Sequence, residues 1–201
     1  MKFLPEKLNE QNIINILSDL KHRVFPRPFE RLALNNKKDL IGAEIGVFEG
    51  DHALSLFKNL NIKKLYLIDP YELYDDYFEG NKHYGIDQKP LNVAKINASK
   101  KLYDYNDRIV WIEKYSNDAM SEINEELDFV YIDGNHHETF VFDDITNYLP
   151  KVKRGSGVIG GHDFYNGFTR DHDGVVNAVI KYALKHDLDL QVELPDWWFQ
   201  L

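Results

Sequence analysis

The residues with chemical potential in this chain sit in a few short stretches, and the richest is Leu127-Asp128-Phe129-Val130-Tyr131-Ile132-Asp133-Gly134-Asn135-His136-His137-Glu138. An apolar run ends in an acid, a glycine turns the chain, and two imidazoles follow. An imidazole with an ordinary pKa of about 6.5 can accept a proton near neutral pH. His136 is therefore the candidate base, with His137 as the alternative and Asp133 beside them. A second stretch, Gly157-Val158-Ile159-Gly160-Gly161-His162-Asp163, ends another apolar run in an imidazole and an acid. If the two runs are neighbouring strands, His162 and Asp163 come close to Asp133. Two carboxylates and an imidazole can hold a divalent cation with positions left for substrate oxygens. The plainer alternative for Asp163 is a helix cap or a polar pocket wall.

Two further stretches point to a ligand of another kind. In Glu44-Ile45-Gly46-Val47-Phe48-Glu49-Gly50, Gly46 permits a sharp turn and Gly50 a close approach of backbone to ligand, while the acid Glu44 can accept a hydrogen bond from an ammonium group. The dinucleotide pattern Gly-x-Gly-x-x-Gly is absent, because Phe48 stands where the central glycine would be. Asp69 closes the run Leu65-Tyr66-Leu67-Ile68, where a carboxylate can take both hydroxyls of a ribose. Its alternative is a turn-forming acid before Pro70.

These residues need elements to hold them, and the apolar pattern supplies them. Ile41 to Ile45, Leu65 to Ile68, Ile109 to Ile112, Phe129 to Ile132 and Gly157 to Gly160 are short continuous apolar runs, as expected of buried parallel strands. Helical patterns fall between them at 51–60, 90–104, 117–125, 138–149 and 173–186. Leu188 to Leu194 and Trp197 to Leu201 read as a terminal antiparallel hairpin around a Pro-Asp turn. The alternation predicts an open, mostly parallel α/β sheet with helices on both faces. Ligands in such sheets bind beyond the carboxyl ends of the strands, where Gly46, Asp69, Ser116, Asp133 and His162-Asp163 fall. Ahead of this core, residues 1–40 read as a helical extension, with Ile13, Leu17, Leu20 and Val24 at helical spacing and Pro26 and Pro28 as its stop.

Composition narrows the function classes. At 201 residues the chain is expected to form one domain over 1–201, and its 43% hydrophobic residues can build a core. With no cysteine, disulfides, thiolate metal sites and a cysteine nucleophile are excluded. The balance of 24 Lys+Arg against 33 Asp+Glu gives a net charge of −9, which disfavours a nucleic-acid partner. No apolar stretch is long enough for a membrane span and the first residues lack an apolar signal core, so a cytoplasmic location is expected. A homo-oligomer is left open.

In this order, the stretches resemble the class I S-adenosylmethionine-dependent methyltransferases over roughly residues 41–201. Glu44-x-Gly46-x-x-x-Gly50 is similar to that family's first motif, Asp69 to its ribose-binding acid, and Tyr115-Ser116-Asn117 to the turn that contacts adenine. The resemblance implies a Rossmann-like, seven-stranded sheet with a C-terminal antiparallel hairpin. It also implies S-adenosylmethionine bound by Glu44, Gly46, Gly50, Asp69, Ser116, Asn117 and Asp133. Ile132-Asp133-Gly134-x-His136 followed by Gly160-Gly161-x-Asp163 further resembles small macrocin- and cephamycin-type O-methyltransferases acting on sugar or natural-product hydroxyls. In several members of that group the matching acids hold magnesium and the histidine matching His136 is the base. Here the metal set would be Asp133, His162 and Asp163, and His162 departs from the family's acid, which weighs against magnesium because that ion prefers oxygen ligands.

The acceptor is expected to be a small hydroxyl compound, walled by 71–89, including Asn81, and by 164–173, including Arg170. A Rossmann-type NAD-dependent oxidoreductase and a non-catalytic binding protein on the same fold are the alternatives.

Overall fold

The computed structural model describes residues 27–35, 37–73, 88–164 and 170–201. Among these, seven strands form one sheet: β1 (Leu40–Ile45), β2 (Ile62–Ile68), β3 (Ile109–Ile112), β4 (Phe129–Ile132), β5 (Val158–Gly161), β6 (Leu190–Glu193) and β7 (Asp196–Gln200). Their order is β3-β2-β1-β4-β5-β7-β6. The first five pair in parallel, and β7 runs antiparallel to both β5 and β6. The helices are α1 (Glu30–Leu34), α2 (Asp51–Asn59), α3 (Lys89–Lys101), α4 (Ser116–Ala119), α5 (Glu138–Tyr148) and α6 (Arg170–His186). This is the mostly parallel Rossmann-like arrangement with a terminal hairpin that the sequence predicts.

Every residue of β4 and β5 is buried, which explains why these strands read as unbroken apolar runs instead of alternating ones. Their side chains still divide by parity. Phe129 and Tyr131 join a core with Leu56 and Phe57 of α2 and Ala98 of α3. Val130 and Ile132 face the opposite core, with Val141 and Ile145 of α5 and Val175 and Val179 of α6. Each fully buried Leu, such as Leu56 or Leu65, contributes about 1.5–3 kcal/mol relative to exposure. Pro90 starts α3 where the missing N–H costs nothing, and Lys100 and Lys101 close it where positive charge complements the helix dipole.

The structure departs from the sequence reading mainly at element ends. The helix expected over 117–125 is one α-turn followed by a 3₁₀ turn at Met120–Glu122, and α3 gives way to 3₁₀ structure at Tyr103–Arg108. The helix that Pro26 and Pro28 are expected to stop lies outside the described residues, and so does Pro26. Pro28 itself sits in a 3₁₀ turn, Arg27–Phe29, that leads into α1, a place where a proline forfeits no hydrogen bond. The helix expected around Ile13 to Val24 lies outside the described residues, as does most of the 71–89 segment.

The Arg27–Leu34 piece is fastened to the sheet. Phe29 is fully buried with its ring centroid 4.8 Å from that of Phe129. Arg27 Nη1 donates to Asp196 Oδ2 at 2.7 Å, and Tyr131 Oη donates to Asp196 Oδ1 at 2.8 Å. One buried carboxylate thus ties the N-terminal turn, the middle of β4 and the first residue of β7. No helix among the described residues is long and apolar enough to cross a membrane.

Tyr131→Phe removes one donor from that buried carboxylate and is expected to cost about 2 kcal/mol, measured as a lowered urea midpoint with an unchanged m-value.

Candidate active site

A cavity of about 820 Å³ opens at the carboxyl ends of β1, β2 and β4, where the strand order reverses. That volume lies within the range of small-molecule sites. Its lining includes Glu44, Gly46, Asp69, Ser116, Asn117, Asp133, His136 and Asp163, all expected from the sequence. Gly50, His137 and His162 are not among the lining residues.

The floor is made by the loop after β1. Gly46 has φ +83°, and a Cβ there would lie 2.1 Å from the backbone oxygen of Asp133, so only glycine lets β1 and β4 leave the sheet this close together. Gly50, at φ +75°, is the N-cap of α2. Asp69 organises this loop: Oδ2 accepts the backbone N–H groups of Val47 at 3.0 Å and Phe48 at 2.9 Å, and Oδ1 accepts that of Tyr71 at 2.8 Å. Burial raises its carboxyl pKa, and the same three donors oppose the rise. The turn-forming role weighed for Asp69 is thus present, and with about four lone-pair directions a carboxylate keeps acceptor capacity besides. Tyr71 Oη donates to the carbonyl of Phe48 at 3.0 Å and pins the loop from the other side.

Behind the loop, Glu44 at the end of β1 is 1% exposed. His52, in the first turn of α2, brings Nδ1 to 3.5 Å from Glu44 Oε1 and stacks on Tyr131 with ring centroids 3.7 Å apart. His52 lines the cavity and was not anticipated. Its signal was its place two residues after Gly50, where a helix start faces the same space as the glycine loop.

At the other end, the two strand-terminal stretches converge as expected. His136 Nε2 lies 2.9 Å from Asp163 Oδ2, and His162 Nδ1 lies 2.8 Å from Asp163 Oδ1. Asp163 thus stands between two imidazoles. Burial by itself would raise its pKa, but the hydrogen bonds from His136 and His162 outweigh that and hold the carboxyl far below the usual carboxylate range. The backbone of Asp163 is left-handed, with φ +60°, a conformation that Asp tolerates better than most residues and that recurs at functional sites.

Asp133, His136 and Asp163 each offer a ligand atom, all within 4.8 Å of one another, so this trio can hold a cation. His162 is buried and sits 3.8 Å from Asp133, with its contact to Asp163 much shorter. The grouping therefore gives His136 the place that the sequence reading gave to His162. His137 is exposed and its Nδ1 is 3.2 Å from Thr139 Oγ1, so the two adjacent histidines take different surroundings.

The turn carrying His136 is held by α6. A Cβ on Gly174 would lie 2.3 Å from the carbonyl oxygen of His136 and 2.8 Å from Glu138 N, a contact only a glycine allows. Two more cavity residues come from α5, Phe140 and Asp144. Asp144 is 3% exposed. Burial pushes its carboxyl up to about 7, with a hydrogen bond from Ser116 opposing and the charge of Asp143 adding to the rise. An acid three residues after Val141 and four before Tyr148, inside an apolar helical stripe, was its signal in the sequence.

A family model described as a methyltransferase domain matches residues 43–164. No curated protein matches the sequence. Among solved structures, the calicheamicin methyltransferase CalS11 is similar at 12% identity and TM-score 0.60, over 96% of this chain and 80% of that one. An O-methyltransferase from Bacillus cereus in complex with SAH is similar at 14% identity and TM-score 0.58, over 98% and 93%. A cofactor-bound protein from MTB is similar at 12% identity and TM-score 0.64, over 97% and 98%. At these identities the likeness is one of fold.

Two outcomes are expected from this geometry. Gly174→Ala forces α6 off the His136 turn at a cost of about 1–3 kcal/mol, and imidazole NMR signals of His136 should shift with it. Unchanged signals and stability would contradict the contact. Asp144, with a folded pKa near 7 against an unfolded value of 3.8, favours the folded state most below the unfolded pKa, and that advantage is lost as pH rises to about 7. Asp144→Asn should therefore melt higher than the wild type at pH 8, with the difference fading by pH 4.

Proposed function

The chain belongs to the methyltransferase-domain family, and on that premise we propose that it is an S-adenosylmethionine-dependent O-methyltransferase acting on a hydroxyl of a sugar or another small molecule. The observation that carries the reading is the pairing of His136 with Asp163 on the rim of the cavity whose floor is the Gly46 loop. A glycine loop and a base in one cavity are what methyl transfer to a hydroxyl requires.

In this reading the Gly46–Gly50 loop and Glu44 take the methionine end of the methyl donor, with Glu44 receiving its ammonium group. Asp69 takes the ribose, and Ser116 and Asn117 lie toward the base. An acceptor hydroxyl would be held beside His136, where positioning lowers the barrier most. When bound, S-adenosylmethionine would supply an electrophilic methyl group, and the hydroxyl that takes it would give up its proton to His136. With Nε2–H donated to Asp163, the basic lone pair of His136 resides on Nδ1, and Asp163 stabilises the imidazolium that forms.

A second reading follows from the spacing of Asp133, His136 and Asp163. These residues fit a divalent cation that accepts imidazole, such as Mn²⁺ or Fe²⁺, better than magnesium. Such an ion would lower the pKa of an acceptor hydroxyl. His136 would then be a ligand instead of the base.

The tests separate these readings. S-adenosylhomocysteine at about 100 times its Kd should raise Tm by about 5 °C or more, and NAD should not. A shift with NAD alone would favour the oxidoreductase, and no shift with either the binding-protein reading. His136→Ala should lose at least 100-fold in turnover, in line with about 10²–10⁴ for a general base, while S-adenosylhomocysteine binding is retained. Turnover undiminished by EDTA supports the base. Turnover abolished by EDTA and restored by Mn²⁺ supports the cation.

A further inference from the structure

Asp144 is a buried acid in the cavity wall that the transfer chemistry does not use. Its position is fixed by the seating of α5 on α4: Asn147 Nδ2 donates to Asn117 Oδ1 at 2.7 Å, and Tyr148 Oη donates to the carbonyl of Ser116 at 2.8 Å. Asp144 is hydrogen-bonded to the Ser116 side chain and shares the cavity wall with Phe140, one turn earlier on α5.

The strand order says which part of a nucleoside this corner meets. Along β3-β2-β1-β4-β5, Asp69 follows β2 and lies between Ser116, which follows β3, and Asp133, which follows β4. With the ribose at Asp69 and the reacting methyl near His136, the base is left for the Ser116 end, where Phe140 offers a flat apolar face. Adenine presents there a 6-amino donor beside a ring-nitrogen acceptor. A neutral carboxylic acid presents the complement, one acceptor and one donor, whereas a carboxylate has acceptors only.

We propose that Asp144, backed by Ser116, is the residue that reads the 6-amino edge of adenine, its carbonyl oxygen accepting from the amino group and its O–H donating to the neighbouring ring nitrogen. This rests on the S-adenosylmethionine reading given above and adds a specificity residue to it. The protonation state supports it independently of the shape: burial holds the group up to about 7, so the neutral acid is a main form near neutral pH. The ionisable groups around it are Asp143 and Tyr148 on its own helix, Lys114 and Asp118 flanking Ser116, and Asp133 and His136 across the cavity. Helix α6 brings Lys181 and Lys185 to the ring of Phe142.

The experiment is a calorimetric titration of the full chain with S-adenosylhomocysteine from pH 6 to 8.5, repeated with its analogue lacking the 6-amino group. The wild type is expected to lose affinity above about pH 7, approaching tenfold per pH unit. Asp144→Asn offers a donor and an acceptor at every pH and should show no such slope. At pH 6 the wild type should prefer the amino-bearing ligand tenfold or more, and Asp144→Leu should lose that preference. A wild-type affinity independent of pH, a slope that persists in Asp144→Asn, or equal binding of the two ligands by the wild type overturns the proposal while leaving the S-adenosylmethionine reading intact. No binding by the wild type at any pH overturns that reading and this proposal with it.

Discussion

The geometry of the cavity depends on one close approach. Gly46, at the end of β1, lies so near the carbonyl oxygen of Asp133, at the end of β4, that a Cβ would come within 2.1 Å of it. Adjacent hydrogen bonds fix the two strand ends in register, with Asp133 N donating to Ile45 O at 2.7 Å and Gly46 N to Ile68 O at 2.9 Å. Three strands therefore stop at one level, and their exits diverge to leave a crevice. Asp69 then draws the Val47–Phe48 backbone toward β2, so the floor is preorganised by its own backbone contacts before a ligand arrives.

The other constraint is the burial of charge. Asp163, Asp196 and Glu44 are each at most 9% exposed, and a carboxylate so placed needs partners. Asp163 receives two imidazoles, which makes His136 part of a fixed pair instead of a mobile surface histidine. Asp196 receives Tyr131 and Arg27, and Tyr131 in turn stacks on His52, which approaches Glu44. The interior of the site is thus continuous with the terminal hairpin through neighbouring polar groups. Asp144 is the contrasting case: burial holds its acid toward the neutral form, and the hydrogen bond from Ser116 opposes that shift without reversing it.

What could be read in advance followed from how local each signal was. The runs Phe129 to Ile132 and Gly157 to Gly160 declared buried strands because burial on both faces leaves no polar position. The stops of the helices are less legible: the α-to-3₁₀ changes at Ala119 and Lys101 fall where no glycine or proline marks an end. His52 and Asp144 are not legible in the sequence because each lies on a helix, and which face of that helix meets the cavity is decided by its packing on the sheet.

The sequence by itself determined the strand-and-helix alternation, the glycine turn at Gly46, and the acids and imidazoles gathered after the strands, because these follow from residue type at fixed local spacing. Only the tertiary structure decided which of them act together. His136 pairs with Asp163 across 27 positions of sequence, and His137 takes Thr139. The reason is physical: adjacent residues leave a turn in different directions, and where each points depends on contacts such as Gly174 against the His136 carbonyl that come from distant parts of the chain.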